Sequence, residues 1–206
     1  MRGRFQPTSR QHFNATCWPR VLAEKLRTIN IDAPESTFHY DAVIYVPDST
    51  CNGETNEASL TMTLAHELQH FIQYGSNRDL WAWNTVPGNL LKTTITRLGL
   101  KWRDIPIEHE ARVVAKRAAQ TILGEKRTAD YIEFRINERV TDSDADDWQF
   151  IQGIDTSSTD PFDCAAKTQE LFRRLVPVRN ELEQALDNSR MLPEFANLNL
   201  DEVMNP

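Results

Sequence analysis

Helical periodicity dominates the chain and is punctuated by short runs of breakers. From Glu57 to Tyr74 the pattern is helical: Leu60, Leu64, Ala65, Leu68, Phe71 and Ile72 gather on the side of the wheel opposite His66 and His70. That arc is expected to be the core face, with Gly75 at the helix end. A second helix is expected from Pro106, a favoured first position, through Ile107 to Leu123 before Gly124. Between them a polar, Trp-rich passage (Trp81, Trp83) leads through Pro87-Gly88 to a helix around Asn89 to Leu98, closed by Gly99. The last helix runs from Phe162 to about Asp187 with a kink at Pro177. Val21 to Arg27 reads as a short helix, and Thr37 to Val46, rich in β-branched and aromatic residues, reads as a strand stopped by Pro47. Tyr131 to Ile136 suits strand or helix, and Thr141 to Asp147 reads as an acidic loop. The expected fold is mainly helical α+β with a small β-sheet. Residues 1–35 form an N-terminal helical extension, 36–124 a working core, and 125–206 a C-terminal helical extension packed on it as one compact domain.

Composition narrows the function classes. With 23 Lys+Arg against 30 Asp+Glu the net charge is −7, which argues against a partner recognised through its phosphates, nucleic acid or anionic membrane alike. No window approaches 18 consecutive apolar residues, and the basic start of the chain is followed by no apolar stretch of a signal peptide. The cysteines are Cys17, Cys51 and Cys164, an odd number with no C-x-x-C spacing. Neither a disulfide framework nor a zinc ribbon is indicated, and a reducing, cytoplasmic setting with buried thiols is expected.

One constellation carries chemistry. Residues 66–70 read His-Glu-Leu-Gln-His, the His-Glu-x-x-His pattern on an expected helix. At about 100° per residue, His70 lies about 40° from His66, so both imidazoles can converge on one ion, while Glu67 lies about 60° further round. Zinc takes neutral imidazole nitrogens and, in a catalytic site, keeps one position for water; a carboxylate beside it can take that water's proton. With 5 His in 206 residues, an accidental match arises in roughly one such chain in a hundred, so the pattern favours zinc without compelling it. A third ligand is required, and the helix from Pro106 offers Glu108, about 70° from the centre of its apolar face, or Glu110, about 90° away on the other side. Only one can face the ion. His109 points away from that core face and is expected to be exposed to solvent.

This pattern resembles the gluzincin class of zinc metallopeptidases, and within it the compact minigluzincin type, over about residues 40 to 124. The residues that carry the resemblance are the apolar strand Ala42 to Val46, the His-Glu-Leu-Gln-His helix with its trailing Phe-Ile-Gln, and Pro-Ile-Glu-His-Glu-Ala-Arg on a later helix. The resemblance implies a zincin-like active-site helix and one zinc per chain held by His66, His70 and Glu108, because the ligating Glu in such families commonly precedes an Ala by three positions, as Glu108 precedes Ala111. It implies Glu67 as the catalytic base, a protein or peptide substrate, and Ala42 to Val46 as a strand on which an extended substrate pairs. Arg112 departs from the pattern: many gluzincins place there an acidic residue that orients a ligating His.

Other signals are weaker. Residues 142–147 start like a calcium loop, yet Asp147 and Gly153 stand where Gly and Glu are required. Trp81, Trp83 and Trp102 suit packing or a pocket wall, and Tyr74, His109 and Tyr131 are the residue types that stabilise an oxyanion. Two rival readings stand beside the zinc peptidase. A catalytically silent zinc-binding or interaction module would close the coordination sphere with Glu110, His109 or Cys51, and a metal-free helical module would hold no ion.

Overall fold

The computed structural model describes residues 16–19, 42–46, 56–90, 95–138, 142–158, 162–190 and 195–204. Their regular elements are helical but for two four-residue strands, β1 (Thr16–Pro19) and β2 (Ala42–Tyr45), paired antiparallel with Cys17 opposite Ile44 and Trp18 opposite Val43. The expected strand is thus found at Ala42–Tyr45. The short helix expected at 21–27 lies outside the described residues, as does Cys51.

Eight α-helices follow among the described residues: α1 (Asn56–Ser76), α2 (Arg78–Leu90), α3 (Pro106–Leu123), α4 (Glu125–Glu138), α5 (Asp142–Gly153), α6 (Cys164–Arg174), α7 (Arg179–Ser189) and α8 (Leu200–Met204). Helix α3 starts at Pro106, whose missing N–H costs nothing in a first turn, and is ended by Gly124 at φ +89°. Three expectations need correction. The Trp-rich passage is helical, with Asn77 accepting a hydrogen bond from the Leu80 N–H and Pro87 inside α2; burial of Ala82 and Val86 outweighs the proline penalty. Residues 95–98, expected at the end of a helix, form a 3₁₀ turn closed by Gly99 at φ +71°. The supposed acidic loop is the start of α5, because Ala145, Trp148 and Ile151 recur at helical spacing and turn inward. Residues 131–136 are helical for the same reason, Thr128, Tyr131 and Ile132 being the buried side of α4. At Pro177 the chain makes a 3₁₀ turn, Val176–Val178, dividing the last long helix into α6 and α7.

The described residues build two compact units. One comprises the described residues up to 71 with those from 111 to 158, the other those from 72 to 110 with those from 162 to 204. In the first, α4 lies along α5, and Ala58, Met62, Ala115, Ala119, Tyr131, Ile132, Ile151 and Ile154 form its core. Lys116 is buried there and donates to the carbonyls of Gln152 and Ile154, both at 2.7 Å. Its ammonium neutralises the carbonyl end of α5, and burial holds its pKa below the ordinary lysine range. In the second unit α2 packs on α6 and α7, and α8 on α6. The core there is centred on Phe172, Leu175 and Leu182, each 0% exposed, with Trp81 and Trp83 packed at its side.

Helix α1 departs from its expected facing. Leu68 is 39% and Ile72 57% exposed, whereas Ala58, Met62, Gln73 and Tyr74 are buried. On the wheel these four span the side that carries His66 and His70, so the histidine side, not the leucine arc, contains most of the buried positions.

Two outcomes test these packings. Phe172→Ala empties a fully buried ring site and is expected to cost about 3–5 kcal/mol in a urea unfolding curve; a loss under 1 kcal/mol would show the site is not packed. Burial raises the Cys164 thiol to about 12, so native protein at mildly alkaline pH resists alkylation there while urea-unfolded protein reacts. Because the folded thiol titrates above its ordinary 9.0, its stabilising contribution is present below that value and declines as pH rises beyond it.

Candidate metal centre

Two helices supply the site. On α1, His66 and His70 stand one turn apart and turn their Nε2 atoms toward each other at 3.0 Å, the rings edge to face at 89°. On α3, Glu108 lies in the first turn and is 7% exposed. One ligand atom from each of His66, His70 and Glu108 can be chosen so that all lie within 4.8 Å of one another. Among the described residues, no other group of three His, Cys, Asp or Glu side chains meets in this way.

The arrangement fits a divalent ion of the zinc type. Two ligands at 2.0–2.1 Å on a tetrahedral ion are about 3.3–3.4 Å apart, close to the separation of the two imidazole nitrogens. Neutral imidazoles and a carboxylate are the donors zinc takes, and the net charge a cation brings offsets the cost of burying the Glu108 carboxylate. Glu67, next to His66 in sequence, is also buried, at 6% exposed.

The other residues singled out in the sequence have different surroundings. The Glu110 carboxylate accepts a hydrogen bond from Gln73 Nε2 at 2.8 Å. His109, expected in solvent, is half-buried against the Phe162 ring at 5.0 Å and helps line a cavity of about 170 Å³ with Asp104, Lys167 and Arg174. That expectation is corrected: Phe162, far along the chain, packs over the outward side of α3. Tyr74 is buried with its ring edge to face on Trp81 at 5.1 Å. Tyr131 is buried against Trp148 at 5.5 Å, and its hydroxyl accepts from Arg135 Nη1 at 3.3 Å. Trp102 is exposed. Residues 142–153 are helical and so do not form a calcium loop.

Sequence reasoning missed Gln73 and Asn84. Gln73 Nε2 donates to the Ile107 carbonyl at 2.9 Å as well as to Glu110. Asn84 is buried; its Oδ1 accepts from the Ile107 N–H at 3.4 Å, and its Nδ2 donates to Thr168 Oγ1 at 2.8 Å. One signal was available: Gln73 stands about 20° from His66 on the wheel, a polar group on the histidine side one turn beyond His70.

Set against family models, curated proteins and solved structures, the chain gives no match. The gluzincin resemblance therefore rests on the residues of the site. No helix among the described residues is long and apolar enough to cross a membrane.

The ligand set has a direct test. After dialysis against limiting chelator, wild-type protein is expected to retain one zinc per chain by elemental analysis, and His66→Ala, His70→Ala and Glu108→Ala to lose it. Retention of metal by Glu108→Ala at wild-type affinity would remove that residue from the set.

Proposed function

We propose that this chain is a zinc-dependent metallopeptidase of gluzincin type, hydrolysing peptide bonds, with His66, His70 and Glu108 holding the metal and Glu67 acting as general base. The observation that carries the reading is the convergence of the histidine pair with a buried carboxylate from a second helix. A bound zinc supplies Lewis acidity, bringing the pKa of water near 7 and polarising a carbonyl.

The chain's own residues do the rest. The two imidazoles and Glu108 provide three donors, the number that leaves a fourth position for water and substrate. Glu67 follows His66 directly, on the same helical turn, which suits it to take the proton of the attacking water and pass it to the departing amine. Glu67 is also buried, which screens its carboxylate from bulk water. Two of the donors that a closed, silent zinc site would need are engaged elsewhere: Glu110 with Gln73, and His109 against Phe162. This supports an open coordination position. An extended peptide adding to Ala42–Tyr45 is the recognition mode that the resemblance implies.

Glu67→Gln keeps the size of the side chain and removes its basicity. It is expected to retain zinc and to lose hydrolysis of a peptide library by about 10²–10⁴-fold. Hydrolysis by Glu67→Gln at the wild-type rate, or by wild-type protein stripped of metal, would contradict the assignment.

A further inference from the structure

Ile107 stands immediately before Glu108, and both of its main-chain polar groups, the N–H of one peptide and the C=O of the next, are held by buried side chains from earlier helices. Its carbonyl accepts from Gln73 of α1 at 2.9 Å, and its N–H donates to Asn84 of α2 at 3.4 Å. That N–H is one of the orphan donors of a helix N-terminus, so Asn84 acts as an external cap. Gln73 makes a second bond from the same nitrogen, to Glu110 Oε2 at 2.8 Å. Its two acceptors therefore flank Glu108 on either side, one a main-chain carbonyl and the other a side chain two residues further on.

Two attachment points do what one cannot. A single hydrogen bond leaves α3 free to swivel about its axis; a carbonyl and a carboxylate held by one amide fix its rotation as well as its height. A side chain about 5–6 Å from a helix axis moves about 2 Å when the helix turns by about 20°, while metal ligands must stay within about 0.2 Å of their bonding distance. Gln73 also lies three residues after His70, so the group gripping α3 belongs to the helix that presents the histidines.

We propose that Gln73, supported by Asn84, is a positioning residue for the metal centre, setting the rotation of α3 so that the Glu108 carboxylate meets His66 and His70. This rests on the zinc reading above. The test compares zinc affinity, by competition with a chromophoric chelator, and the visible spectrum of the cobalt-substituted protein, in wild type and Gln73→Met. Methionine has similar length and cannot donate. With far-UV circular dichroism unchanged, zinc binding is expected to weaken by about 10–100-fold and the cobalt bands to shift. A folded Gln73→Met protein with wild-type affinity and spectrum, while Glu108→Ala loses metal, overturns the proposal.

Should Gln73→Met fail to fold, the acceptor side carries the same test. Glu110→Gln keeps an oxygen for the amide and is expected to bind zinc as wild type does, whereas Glu110→Leu is expected to bind it more weakly. Equal affinity in both overturns the clamp, as does loss of metal by Glu110→Gln as complete as in Glu108→Ala, which would make Glu110 a ligand. Failure of the wild-type chain to bind zinc at all overturns the metal reading itself, a different result from either of these.

Discussion

A single helix can bring two imidazoles to one ion, but the third donor must come from elsewhere, and everything about this site depends on holding it there. Histidines four residues apart meet because helical geometry makes them neighbours. Glu108 joins them from α3, 38 positions beyond His70, and nothing local fixes its approach. The structure places hydrogen bonds at that point: the carbonyl of Ile107 is held by Gln73 and its N–H by Asn84, and Asn84 bonds Thr168 in turn. Buried polar groups satisfied on several sides rigidify what they touch, since in a low-dielectric interior each bond is costly to leave unmade. Their cost in desolvation goes into precision of register.

Burial then gives the carboxylates their chemistry. Glu67 and Glu108 are acidic side chains nearly closed off from solvent on helices that also carry apolar core residues. On the proposed metallopeptidase reading, a cation at the histidine pair would offset the charge of Glu108, and the proton taken from water would offset that of Glu67. The same logic accounts for the odd facing of α1, whose inner side is a mixture of histidine, glutamate and glutamine with Ala58, Met62 and Tyr74 while Leu68 and Ile72 remain exposed.

What could be read in the sequence is what short-range geometry dictates. The His66, Glu67 and His70 constellation is local and was visible at once, as were the start of α3 at Pro106 and its end before Gly124. Glu108 against Glu110 was a choice of about 20° on a wheel, settled only by a family pattern, and the structure gives Glu110 a different partner. Gln73 and Asn84 were not seen because their bonds to Ile107 span 34 and 23 residues and no local spacing marks them. Two of the differences in fold arise where composition outweighs periodicity in the reading. Acidic residues suggested a loop where Ala145, Trp148 and Ile151 keep helical spacing, and Pro87 suggested a break where the buried side of α2 carries the helix onward. On α1 periodicity alone points to the most apolar arc as the core, whereas the burial of Met62 and Tyr74 lies on the histidine side.

The central claim is that one divalent ion sits where α1 and α3 present their three donors. Anomalous diffraction at the zinc edge from crystals of zinc-loaded protein tests it most directly. The account predicts a single strong peak within bonding distance of His66 Nε2, His70 Nε2 and a Glu108 carboxylate oxygen, with a solvent molecule completing the shell. A peak elsewhere, or one at the histidines with Glu110 or a thiolate in place of Glu108, would contradict it.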